Sequence, residues 1–238
     1  MPFVAKLRGN YGYSSAEGRN NIRMINGFLN QYGIPLPAQA GIIGNIVAES
    51  GLNPWRWERA RADPTVDGYG LFQFTPAQPY FDDCNTFLGY GPSRSTSYET
   101  AGATPDDGWA QLIAMNTNMW HKWQPACWRS YWDKNQYTQL WDLVTDILST
   151  YGGEDGRLQY WEYYSIADPT DAAIAFMACY EGPSIPNWRG RADNAIGVLP
   201  QLSLDTPPEP PGTTPTSNKK WIYYLRPLWW QSNPNIRR

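Results

Sequence analysis

Ala38-Gln39-Ala40-Gly41-Ile42-Ile43-Gly44-Asn45-Ile46-Val47-Ala48-Glu49-Ser50-Gly51-Leu52-Asn53-Pro54 is the run from which the fold is read. Ile42, Ile46 and Glu49 are spaced +4 and +3, so a helix here carries its carboxylate on its own apolar stripe. Gly51 is a natural helix stop, and Pro54 lies just beyond it. Glu49 therefore falls in the last turn, beside backbone carbonyls that already carry partial negative charge. Two readings fit that placement. One is a surface residue or the partner of an arginine elsewhere in the chain. The other is a general acid, a task for which a carboxyl in an apolar setting is suited.

The flanking sequence also reads as helical. Ile22, Ile25, Leu29 and Tyr32 mark one buried stripe, and Leu140, Trp141, Val144, Ile147 and Leu148 mark a second. A third helix has end signals: Asp168 as N-cap, Pro169 at the first helical position, and Gly182-Pro183 as the stop. Between residues 63 and 80 the pattern changes to Asp, Pro and Gly turns around Tyr69-Gly70-Leu71-Phe72-Gln73-Phe74, which predicts a short β-hairpin among the helices. The expected fold class is mainly α with a small β element.

Composition narrows the function. The 238 residues include Lys+Arg 19 and Asp+Glu 22, a net charge of −3, which argues against a nucleic-acid partner. A single histidine, His121, excludes zinc sites that need two or three imidazoles, so neither metal nor cofactor is expected. Cys84, Cys127 and Cys179 are odd in number and widely spaced, and are read as buried thiols. No apolar run approaches the roughly 20 residues needed to cross a bilayer, and the first fifteen residues do not read as a secretory leader. Residues 206–215 are a proline-rich spacer, followed by Trp221, Tyr223, Tyr224, Trp229 and Trp230 among basic residues. The chain divides into an N-terminal arm (1–16), a body (17–201), a linker (202–218) and an aromatic-basic tail (219–238). That tail suits docking onto another protein; interfacial contact with a membrane is the weaker alternative.

Three motifs occur in order: Gly44-Asn45-Ile46-Val47-Ala48-Glu49-Ser50-Gly51-Leu52-Asn53-Pro54, then Gly68-Tyr69-Gly70-Leu71-Phe72-Gln73, then Tyr180-Glu181-Gly182-Pro183. The ordered set resembles phage-tail lysozymes, the group that includes the wall-degrading domain of podophage tail-knob proteins. It is also similar to the motifs of lytic transglycosylases and goose-type lysozymes. The likeness spans about residues 20–199, with Arg189 and Arg191 where the family places basic residues. It implies a lysozyme-like α+β fold, in which the hairpin helps form a glycan cleft. It further implies a muralytic glycosidase cutting between N-acetylmuramic acid and N-acetylglucosamine, with peptidoglycan as substrate. Glu49 maps onto the catalytic acid, Gln73 onto an amide lining the cleft, and Tyr180 onto a tyrosine near the acid. Tyr69, Trp55, Trp57 and Glu181 are further candidate substrate contacts. The transglycosylase pattern has Asn where this chain has Glu181, which points to the phage-tail branch.

Glycosidases commonly use two carboxylates. Asp67 is the first candidate for the second, followed by Asp63 and Glu181. The favoured setting is a virion tail component acting during genome entry, with other tail proteins as partners of residues 219–238. A lytic transglycosylase, a holin-released endolysin and a non-catalytic glycan-binding tail protein are the alternatives.

Overall fold

The computed structural model describes residues 3–6, 12–58, 63, 65–81, 107–127 and 132–203, with backbone alone at 107 and 117–121. The linker beyond residue 203, the 219–238 tail, Cys84 and Trp128 lie outside them, as do the side chains of Trp120 and His121. The longer α-helices among the described residues are α1 (Ser15–Gln31), α2 (Leu36–Ser50), α3 (Asp107–Lys122), α4 (Thr138–Tyr151), α5 (Pro169–Phe176) and α6 (Trp188–Val198). Short 3₁₀ turns occupy Glu162–Ser165 and Leu199–Gln201, and a π-turn, Met177–Glu181, continues α5. No described helix is long and apolar enough to cross a membrane.

Helix ends follow local chemistry. Ser14 caps α1 through a capping box with Glu17, satisfying two N–H groups that have no partner within the helix. Asp168 caps α5 by accepting the amides of Thr170 and Asp171, and Pro169 opens it. Gly51 closes α2 in the left-handed conformation, φ 61°, where a Cβ would be strained.

Helix α2 is the spine. It packs most extensively against α6 and α5, and Ile42, Ile43 and Ile46 are fully buried. Gly41 and Gly44 allow that approach. A Cβ on Gly41 would lie 2.6 Å from the backbone carbon of Ala172, and one on Gly44 would lie 2.7 Å from the carbonyl oxygen of Arg191.

The start of the chain straps across this assembly. Phe3 is buried edge-on against Trp109. The buried Asn21 amide accepts the Val4 N–H and donates to the carbonyls of Val4 and Leu52. The loop leaving α2 is thereby tied to both α1 and the N-terminal segment.

The expected hairpin is replaced by tight turns. Among the described residues there is no strand, only the isolated antiparallel bridges Trp57–Tyr69 and Tyr69–Phe74. Tyr69 exchanges backbone bonds with Phe74, while Gly70 donates to Arg56. Gly70 (φ 84°) and Gln73 (φ 47°) then turn the backbone out of the extended region before a ladder can grow. Packing fixes the segment instead: Tyr69 sits between Trp57 and Phe81, and Phe74 stacks on Tyr80 at 4.6 Å. The buried Gln111 amide of α3 accepts the Leu71 N–H and donates to the Pro54 carbonyl, fixing this turn to the loop after α2.

Helix propensity alone makes Gly41→Ala stabilising, by up to about 1 kcal/mol. The contact with Ala172 predicts the opposite sign, a loss of about 1–3 kcal/mol from overpacking, read by urea unfolding. A more stable variant would mean that α2 and α5 are not in close contact.

Candidate active site

The ends of α2 and α3, the π-turn after α5 and the 56–75 segment converge on one cavity of about 630 Å³, whose walls include Glu49, Glu58, Gln73, Lys122, Tyr180 and Glu181. A cavity of that size suits a ligand of a few sugar rings.

Glu49 reaches it from the last turn of α2 and is paired there. The Arg191 guanidinium, from α6, donates Nη2 to Glu49 Oε1 and Nη1 to Asn45 Oδ1 at 2.7 Å. Asn45 lies one turn before Glu49 on α2, and its own amide donates to the carbonyls of Gly41 and Ala173. The Arg191 side chain is 5% exposed and Glu49 19%, so the pair is largely shielded from water. The arginine reading of the Glu49 position is thus realised, and the carboxylate still lines the cavity.

Tyr180 and Glu181 arrive on the π-turn. The Gly182 N–H donates to the Met177 carbonyl, five residues back, so the helix widens by one residue where these side chains emerge. The Tyr180 ring packs against Phe72 and Phe176, and its buried hydroxyl has no hydrogen-bond partner. Burial, with Glu181 adding to it, pushes this phenol well above its ordinary range. Glu181 is half-buried, and its Oε1 is closed off from solvent and accepts no hydrogen bond. Burial pushes its carboxyl up to about 8, and the neighbouring Glu49 charge adds to that; Arg191 and Lys122 pull the other way.

Gln73 takes the left-handed conformation and donates its side-chain amide to the carbonyls of Arg56 and Gly70. A non-glycine residue held at positive φ costs of order 1–3 kcal/mol, and such positions cluster at functional sites.

Other expected contacts lie elsewhere. Asp67 is buried, 1% exposed, and its Oδ2 accepts the Asp63 N–H; Asp63 in turn accepts from Thr65. Both aspartates organise the 63–67 turn and neither lines the cavity. Of the three candidates for the second carboxylate, Glu181 is the one at the cavity. Tyr69 and Trp57 belong to the aromatic core, 0% and 5% exposed. Trp55 is half-buried, with its indole nitrogen inside, and also lies off the cavity wall. Glu58 and Lys122 were not singled out from sequence, since isolated charges in a turn and at a helix end carry no periodic signal. Among the described residues no group of three metal-ligating side chains is assembled. Cys179 is buried and Cys127 half-buried, both as free thiols.

A mainly helical body with carboxyl groups facing one glycan-sized cavity is the arrangement that glycoside cleavage uses. The chain matches the phage tail lysozyme family over residues 20–202 and belongs to it. That family makes it a glycosidase-type enzyme, a phage lysozyme that degrades peptidoglycan.

Two measurements check the electrostatics. Arg191→Leu strands the Glu49 carboxylate in a shielded site, so it should cost about 2–4 kcal/mol in urea unfolding, allowing for the partial exposure of Glu49. A loss under about 0.5 kcal/mol would be that of an exposed surface pair. Glu181 gives a pH signature. Its folded-state value is about 8 against an ordinary 4.5, so its stability contribution is fully present below 4.5 and is lost as pH rises to 8. Glu181→Gln should flatten that fall; an unchanged slope would contradict the assignment.

Proposed function

We propose that the protein is a muramidase that cuts the glycan strand between N-acetylmuramic acid and N-acetylglucosamine. It is a virion tail component that opens the host wall locally during genome entry. The observation that carries this reading is the convergence of Glu49, Gln73, Tyr180 and Glu181, from three separate sequence motifs, on one cavity. In this reading Glu49 is the catalytic acid and delivers a proton to the glycosidic oxygen as the bond to the anomeric carbon breaks. Positive charge then develops on the sugar ring, where the carboxylates of the cavity stabilise it. Gln73 and Tyr180 line the path of the strand. The aromatic tail at 219–238 docks the enzyme onto other tail proteins.

The Glu49→Gln variant keeps an acceptor for Arg191 but has no proton to donate. Lysis of purified cell walls should fall at least about 100-fold while thermal unfolding stays close to that of the parent. Full activity would remove Glu49 from the mechanism. Mass spectrometry of the released fragments separates hydrolysis, which leaves a reducing muramic end, from a lytic transglycosylase, which leaves an anhydro end. A zymogram without clearing would leave a glycan-binding tail protein.

A further inference from the structure

A second recess, of about 330 Å³, lies beside the cavity and has no part in the glycosidase reading. Tyr137, Gln139 and Leu140 wall it at the start of α4, and Pro186, Trp188 and Arg189 at the start of α6. The cavity lining reaches Ser184, two residues before Pro186, so the two walls are at most about 7 Å apart along the chain. Ile185, on the ridge between them, is 76% exposed, so a ligand crossing from one to the other meets apolar surface.

Among the described residues lining this recess, Arg189 is the one charged side chain. Its guanidinium lies over the Trp188 ring, 4.4 Å from the centroid, and its Nη2 donates to Gln139 Oε1 at 2.6 Å. The side chain is thereby held across the gap between α6 and α4. That bond uses one of five N–H donors, and it uses it on a neutral acceptor. Neither helix has an acidic side chain in its first turn, and no carboxylate among the described residues pairs with Arg189. Arg191, two residues on, differs: it is committed to Glu49 and Asn45. A stacked guanidinium with edge donors left over suits recognition of a carboxylate from a ligand. Leu140, Pro186 and Tyr137 add apolar contacts, and the Asn187 amide adds a group able to bond a peptide backbone. In peptidoglycan the glycan offers hydroxyls and acetamides, while the carboxylates belong to the peptides.

We propose that this recess binds the peptide that branches from muramic acid, with Arg189 taking one of its carboxylates while the attached sugar lies in the cavity. This deepens the peptidoglycan reading of the site and rests on it. An extended peptide of four residues spans up to about 14 Å, enough to cross the ridge at Ile185 and reach Arg189. The recess then makes the enzyme favour strands that still carry their peptides over bare glycan.

Calorimetric titration of the whole chain tests this without any assay of lysis. The probe is the disaccharide N-acetylglucosaminyl-N-acetylmuramic acid carrying a tetrapeptide, used with its peptide carboxyls free and with them amidated. The free form should bind about tenfold more tightly, the worth of one charge-assisted pair. Arg189→Gln keeps hydrogen-bonding capacity without the charge, and its exposed position leaves thermal unfolding close to that of the parent. In that variant the two forms should bind within about twofold of each other. Equal binding of both forms by the parent, or a preference that survives in Arg189→Gln, overturns the proposal; the second result would assign the carboxylate to the cavity cations. NMR of the labelled parent gives the location: the free form should shift the Arg189 Nε–H and the Gln139 side-chain amide. Shifts confined to other surfaces overturn it as well. If the preference follows Arg189 and the parent clears no cell wall, the peptide site stands and the glycosidase reading fails. If walls are cleared and the preference is absent, the peptide site alone fails.

Discussion

The contact on which the site depends is the Arg191 guanidinium held between Asn45 and Glu49. It joins α6 to two successive turns of α2, and it can do so because Gly44 lets the α6 backbone come within van der Waals reach. The same close approach shields the ion pair. Replacing Gly44 with any larger residue would push α6 away and lengthen the bonds to Glu49. A packing feature and an electrostatic one are here a single constraint.

Around that constraint the cavity keeps two glutamates in unlike surroundings. Glu49 is bonded to a cation and faces the cavity. Glu181 is set beside it by a widened helical turn and left without a donor on its inner oxygen. A regular α-helical continuation through Met177–Glu181 would rotate these side chains relative to α2, so the π-turn is part of the chemistry as well as the packing. The Gln73 turn closes the opposite wall and is held by the buried Gln111 amide through Leu71 and Pro54. Polar groups buried in this core mainly connect elements.

Much of this was legible in the sequence, for physical reasons that differ by element. Apolar spacing located the stripes of α1, α2 and α4, because helical period and burial leave a direct trace. Asp168-Pro169 and Gly51 marked helix ends through hydrogen-bonding and steric rules that act locally. The hairpin did not form because Gly70 and Gln73 bend the chain after a single bridge on each side of Tyr69, a matter of backbone angles that alternation of residue types does not encode. Asp67 looked like a second carboxylate from its place near the motif, yet its oxygen serves the turn. Trp57 could equally have been a sugar platform or a core residue by composition, and the core has it. Arg191 lies 142 residues from Glu49, so the pairing depends on tertiary packing that no local pattern records.

The account is tested most directly by a crystal structure of the Glu49→Gln protein soaked with a peptidoglycan tetrasaccharide. It predicts the strand lying across the cavity between Gln73 and Tyr180, with one glycosidic oxygen within about 3 Å of the residue 49 amide. A tetrasaccharide bound elsewhere on the surface, or one crossing the cavity with no glycosidic oxygen near position 49, would contradict it.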